Sequence, residues 1–238
     1  MRVAVDKVEQ VAAASASGVC FVFSRQAEVL PVPFVAAPCL RELTAQALAD
    51  VLPLLGCGEE AATIAFHQLA GQASTGTEAT VALRRIEAEE RVHDSLLKQL
   101  AAVLPLPNDG AELRRVARRF HIHLAADGQA LHLARIAAID AAACTVLSRL
   151  VASRAALAQD AVIVQLFRRI RHDEAHHVAV TRTLVRALGS GDRMRDAAAA
   201  ARLALSDLLR LRGAAFERLR IEPDALVRDV ARLPNGLL

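Results

Sequence analysis

The chain has no tryptophan, no tyrosine and only seven phenylalanines among its 238 residues. That poverty argues against an all-β sandwich or barrel, whose strands draw on Tyr, Trp and Phe. It also removes any chemistry that stores a radical on Tyr or Trp. No apolar run approaches the ~18 residues that span a bilayer. The first twenty residues hold Asp6 and Glu9 without a basic-then-apolar layout, so neither a membrane span nor a signal peptide is expected. The four cysteines (Cys20, Cys39, Cys57 and Cys144) lie far apart with no CxxC pair, as reduced thiols of a cytoplasmic protein would. A strong charge imbalance is absent too. With 29 basic and 26 acidic side chains the net charge is +3, and no basic stripe interleaves with aromatics, so no nucleic-acid partner is expected.

What remains is rich in Ala, Leu, Arg and Val, the first three strong helix formers. Residues 1–40 stand apart: a short helix around 3–14 leads into VCFVFSRQAEVLPVPFVAAP, with three Phe and three Pro. This stretch reads as extended or irregular chain packed on the body, as a lid or as a contact between the two copies of an expected homodimer. Residues 41–238 read as one helical domain. A first amphipathic stretch, RELTAQALADVLPLL, ends at Gly56 and Gly58, and a second runs from Glu59 to Gln72. Thr77 caps a long third helix, which Pro105, Pro107 and the Asn-Asp-Gly turn stop. Helix then covers roughly 111–157 with a break near Asp127–Gly128, roughly 160–188, roughly 192–212, and a short piece before the tail. Long helices joined by short loops, with apolar residues three and four apart, predict an all-α antiparallel bundle.

Two of these helices share a pattern. Glu90 and His93 form Glu-x-x-His in the third helix, and Glu174 and His177 repeat it near 170, each pair preceded by an acid. Residues three apart project from one helix face. Two such helices, each facing a carboxylate from another helix, can supply four carboxylates and two imidazoles to a pair of metal ions. Carboxylates suit hard iron ions, and the imidazoles leave an open position for dioxygen. The scheme asks for one acid upstream of each pair. Glu59 and Glu60 lie about thirty residues before Glu90. Asp140 lies upstream of Glu174 in the otherwise apolar LARIAAIDAAACTVL, where a lone carboxylate is costly unless it is paired, for instance with Arg135, or bound to metal. Asp173 with His176 offers a rival register. Cys144, one turn after Asp140, either lines a cavity or fills space as a small hydrophobe. Outer partners for metal-bound imidazoles are expected, without assignable residues.

At these residues the chain resembles the ferritin-like di-iron carboxylate superfamily. GEEAATIAF is similar to its first ligand helix, in a register that selects Glu59, with Ala62 and Phe66 following, over Glu60. IEAEERVHDSLL and IRHDEAHHVAVTRTL are similar to its second and fourth ligand helices, and the likeness covers roughly 56–188. The resemblance implies a ferritin-like antiparallel four-helix bundle with extra flanking helices. It implies metal ligands Glu59, Glu90, His93, Asp140, Glu174 and His177 around two Fe ions, or Fe/Mn or Mn/Mn. Asp140 stands where the family usually has Glu, and Ile170 stands where its N-oxygenase branch has an additional His. No cysteine-rich rubredoxin module is present, and the chain is more basic than the ferritins. The activity implied is a non-haem di-iron oxidase or oxygenase acting on a small organic substrate with O2. Because no flavin or nicotinamide fingerprint is present, electrons would come from an external donor such as a ferredoxin or reductase. The alternative is iron handling of the ferroxidase type, or a helical scaffold with a degenerate site.

Overall fold

The computed structural model describes residues 38–73, 76–189 and 191–234. The expectations for the N-terminal segment fall almost wholly outside them. The described residues are helical throughout, with no strand. Four long helices carry the fold: α1 (Glu42–Gln72), α2 (Glu78–Ala102), α4 (Gln129–Leu150) and α5 (Ala161–Ala187). Around them lie α3 (Gly110–Leu124), α6 (Asp192–Arg210), and the short α7 (Gly213–Arg218) and α8 (Pro223–Ala231).

Local chemistry sets several of the boundaries. The Thr77 hydroxyl accepts from the Thr80 amide at 3.1 Å and caps α2 as expected. The Asp160 carboxylate does the same for Ile163 at 2.9 Å and starts α5. Between α3 and α4, Asp127 and Gly128 take φ of 68° and 96°, a left-handed pair that ends one helix and turns the chain into the next. The expected break is therefore real, although α4 stops at Leu150 rather than near 157.

One boundary differs from what local propensity predicts. Gly56 and Gly58 do not end a helix: α1 runs unbroken through Pro53, Gly56 and Gly58 for 31 residues. Pro and Gly inside a helix cost about 3 and about 1 kcal/mol. Against that, Leu48, Val51, Leu52 and Cys57 are buried in the main core along the same stretch, and burying a Leu or Val side chain contributes ~1.5–3 kcal/mol. Packing outweighs propensity.

Helices α1 and α2 pack side by side, as do α4 and α5, and α2 meets α5 across the middle. The layer of α3 and α6 covers the other side, α3 against α1 and α6 against α4. Two apolar clusters result. The larger joins Leu48, Leu100, Leu150, Phe167 and Phe216, and the smaller joins Phe66, Leu69, Ile86, Leu133 and Val185. Helix α4 is long and apolar enough by composition to cross a membrane, although His132, Arg135 and Asp140 interrupt its apolar run. About two-thirds of that stretch is buried inside the protein, between α5 and α6. Its apolarity is that of a helix covered on both faces.

Candidate metal centre

The four long helices each send acidic or imidazole side chains into the space between them. From α1 comes Glu59, from α2 Glu90 and His93, from α4 Asp140, and from α5 Glu174 and His177. All but Glu59, which is partly buried, are almost fully buried, and both histidines have no exposed surface. One ligand atom from each of Glu59, Glu90, His93 and Glu174 lies within 4.8 Å of the other three, a group that could hold a metal ion. His93 Nδ1 is 3.3 Å from Glu59 Oε2, 3.6 Å from Glu90 Oε2 and 3.5 Å from Glu174 Oε1. His177 mirrors it, with Nδ1 3.0 Å from Glu90 Oε1 and 3.6 Å from Glu174 Oε1. The two rings stand 5.9 Å apart, with Glu90 and Glu174 shared between them.

The outer nitrogens have the partners that spacing alone could not assign. His93 Nε2 lies 3.1 Å from Asp173 on α5, and His177 Nε2 lies 3.0 Å from Glu89 on α2. Each acid directly before a Glu-x-x-His therefore orients the imidazole of the other pair. Such a partner fixes the ring and raises the basicity of the inner nitrogen. The signal was present as the acid preceding each motif, but its crosswise use depends on α2 meeting α5. Asp173 thus serves as a partner of His93, and the register that faces the cluster is Glu174 with His177, not Asp173 with His176.

Glu59 and Glu60 point in different directions, and Glu59 lies 3.3 Å from His93. Glu60 faces outward to Arg118 at 3.2 Å, which leaves Glu59 as the inward acid. Arg135 does not pair with Asp140. It binds Asp127 at 2.7 Å and the carbonyls of Leu124 and Ala126 at the end of α3. Cys144 turns its thiol to the Arg171 carbonyl at 3.8 Å and is absent from the cavity beside Asp140. Burial, then the charges of Glu174 and Asp140, push that thiol up to about 12, so it stays protonated as a small hydrophobe.

His93 Nδ1 and Glu59 Oε2 share a hydrogen bond at 3.3 Å, but other polar atoms of the cluster are left unsatisfied. Both oxygens of Glu90, Oδ2 of Asp140 and Nδ1 of His177 are buried without a hydrogen-bond partner among the described residues. The His177 to Glu90 approach is close but lacks hydrogen-bond geometry. The protein's other buried aspartates show what satisfaction looks like. Asp50 receives the Asn108 amide at 2.7 Å, and Asp160 receives the amides of Cys39 and Ile163. Leaving a buried polar group unpaired costs ~1–3 kcal/mol, and more for a charged one. Orphaned carboxylate and imidazole atoms aimed into one space are the donor set of a hard or borderline cation.

The electrostatics agree. Burial, then repulsion from Glu90, raises Glu59 to about 8. Burial, then Glu174 and Glu90, holds Asp140 well above the usual carboxylate range. For the histidines burial works downward, but the surrounding carboxylates overcome it. His177 is pushed up to about 12 by Glu174, Glu89 and Glu90, and His93 is held far above its ordinary value by Asp173, Glu174, Glu59 and Glu90. Without a cation the site keeps its interior charge down by holding protons.

Glu59, Glu90, Asp140 and Glu174 also form one wall of a cavity of about 110 Å³ that is otherwise largely apolar. Neither His93 nor His177 lines it, so the cluster opens on its carboxylate side. No protein-family model, no curated protein and no solved structure matches the chain. The chemistry rests on these side chains alone.

Proposed function

We propose that the protein is a non-haem di-iron oxidase or oxygenase built on a ferritin-like four-helix bundle. The observation that carries this reading is the set of orphaned carboxylate and imidazole atoms that opens onto an apolar cavity. The two ions would be held by Glu59, Glu90, His93, Asp140, Glu174 and His177, with Glu90 and Glu174 lying between the two imidazoles. Asp140, a methylene shorter than Glu, would suit a terminal place. Two bound iron ions supply dioxygen activation, with an external ferredoxin or reductase providing electrons. The chain's own part is positioning. Asp173 and Glu89 hold the imidazoles with Nδ1 inward, Phe66 packs against His177 with ring centroids 6.2 Å apart, and the apolar walls exclude water. In an oxygenase turnover one oxygen atom would enter the substrate and the other would leave as water, consuming two electrons from the external donor and two protons from solvent. The cavity favours this reading over iron storage, which needs no apolar chamber beside the ligands.

Anaerobic loading with Fe(II) followed by metal analysis tests it. Two ions per chain are expected, falling below one in Glu90→Ala and in Glu174→Ala, with reductant-dependent oxygen uptake by the loaded wild type only. Metal content well below two ions per chain, unchanged by either substitution, overturns the reading. Loading that continues far beyond two ions selects iron handling.

A further inference from the structure

The cavity beside the cluster has a second polar end. Along α4 it is lined by His132, Ile136, Ile139, Asp140 and Ala143, one face of the helix. His132 precedes Asp140 by eight residues, about 12 Å at 1.5 Å per residue. His121, from the last turn of α3, joins it where α3 turns into α4. His132 is 8% exposed, and neither imidazole has a hydrogen-bond partner among the described residues. Between the two polar ends the walls are small or aliphatic. Gly58, Ala61, Ala62 and Ala65 of α1 leave the volume, and Leu205 and Leu208 of α6 close it from outside. A Cβ added at Gly58 would meet nothing within 4 Å.

We propose that this cavity binds an elongated, uncharged molecule with one hydrogen-bonding head group (an alcohol, ketone or amide). The head is held by His132 and His121, and the apolar body lies along α4 toward Asp140 and Glu90. The length follows from the two ends. At ~10–15 Å³ per water, about 110 Å³ holds on the order of eight waters, the bulk of a medium-length aliphatic chain. The absence of negative charge follows from the lining, which contains no lysine or arginine, and a cationic head would be drawn to the four carboxylates at the other end and not to the imidazoles. A carboxylate or phosphate placed there would be buried without a cation. Burial lowers the pKa of His121 to about 4, and burial with the Arg135 charge lowers that of His132. Both rings are therefore neutral near pH 7. A neutral imidazole offers one N–H and one lone pair, which match a hydroxyl or amide and do not neutralise an anion.

That this molecule is the substrate, with its far end presented to the metals, rests on the di-iron reading; its binding does not. The test is calorimetric titration of the metal-free full chain with decanol, decanoate and decyl phosphate. Decanol is expected to bind at least tenfold more tightly than either anion. Replacing both imidazoles (His121→Leu with His132→Leu) should reduce decanol affinity about tenfold without tightening the binding of either anion. Ala62→Leu, which fills the middle of the cavity and leaves both ends intact, should abolish decanol binding without changing iron content. Circular dichroism confirms that each variant is folded. Decanoate binding as tightly as decanol, or decanol affinity unchanged by loss of both imidazoles, overturns the proposal. So does unchanged decanol binding in folded Ala62→Leu. Iron loading without decanol binding defeats the cavity proposal alone, and decanol binding without iron loading defeats the di-iron reading alone.

Discussion

Filling the metal centre should release protons in a number the structure specifies. At pH 7, Glu59, raised to about 8, is about nine-tenths protonated. Asp140 lies well above the carboxylate range, and both histidines are held in the imidazolium form by their carboxylate neighbours. A metal ion accepts only deprotonated ligands. Loading the site must therefore expel a proton each from Glu59, His93 and His177, and from Asp140 to the extent that its raised pKa keeps it protonated, so about three to four per chain. Each proton released makes binding about 1.36 kcal/mol more favourable per pH unit. The combined binding of the ions should thus weaken by about 4–5 kcal/mol from pH 7 to pH 6. Anaerobic calorimetry with Mn(II) or Fe(II), repeated in buffers of different ionisation enthalpy, reads the proton count directly. A count of about three to four supports these residues as ligands. A count near zero means that the ion sits elsewhere, and the reasoning fails. A count near two in the wild type that falls to one in Asp140→Asn would place the error in the histidines, not in Asp140.

Three further outcomes follow from the same geometry. Asp173→Asn and Glu89→Gln each remove a carboxylate that orients an imidazole of the opposite motif; each should lower metal affinity about 10–100-fold, measured by competition with a chelator, with metal still bound at saturation. The metal-free protein should be most stable in mild acid. Glu59 and Asp140 have raised pKa values, so stability falls as pH rises above about 4.5, and further above about 6.5 as the unfolded histidines lose protons that the folded ones keep. Glu87 and Glu89, where hydrogen bonds overcome burial and hold both at about 2, remove stability as pH falls below about 4.5. Thermal melts from pH 3 to 9 check this, and a metal-free melting temperature that peaks at pH 8 or above contradicts it. Thr77→Ala should cost ~1 kcal/mol by removing the cap of α2, read as a lower urea midpoint with an unchanged slope.

Much of the site was legible because its signals are local. A Glu and a His three apart share a helix face whatever surrounds the helix. The two pairs and Glu59 therefore come together where spacing put them, and Thr77 and Asp160 act at their own helix starts. What was not legible depends on which helix meets which. Gly56 and Gly58 read as a helix end because propensity is local, while the burial of Leu48, Leu52 and Cys57 that keeps α1 continuous comes from other helices. The crosswise partners Asp173 and Glu89 needed the contact between α2 and α5. The second pair of imidazoles needed α3 to fold back over α4, since His121 and His132 carry no spacing signature of their own.

Asp140 shows how far the local and tertiary signals agree. Its sequence neighbours predicted burial with either Arg135 or a metal as partner, and the fold supplies 5% exposure, an orphaned Oδ2 and no Arg135. Asp50 and Asp160 are as buried yet satisfied by backbone amides, so the protein's own interior shows that a carboxylate can be accommodated when only stability is at stake. Asp140 departs from that pattern at the one place where four carboxylates face a cavity. Asp140→Asn separates the explanations. If the acid is there for a cation, the variant should melt higher than wild type when both are metal-free at pH 8, because a buried ionisable group is gone. It should also hold less metal. A variant that melts lower without metal and binds metal normally would assign Asp140 a structural role and remove it from the centre.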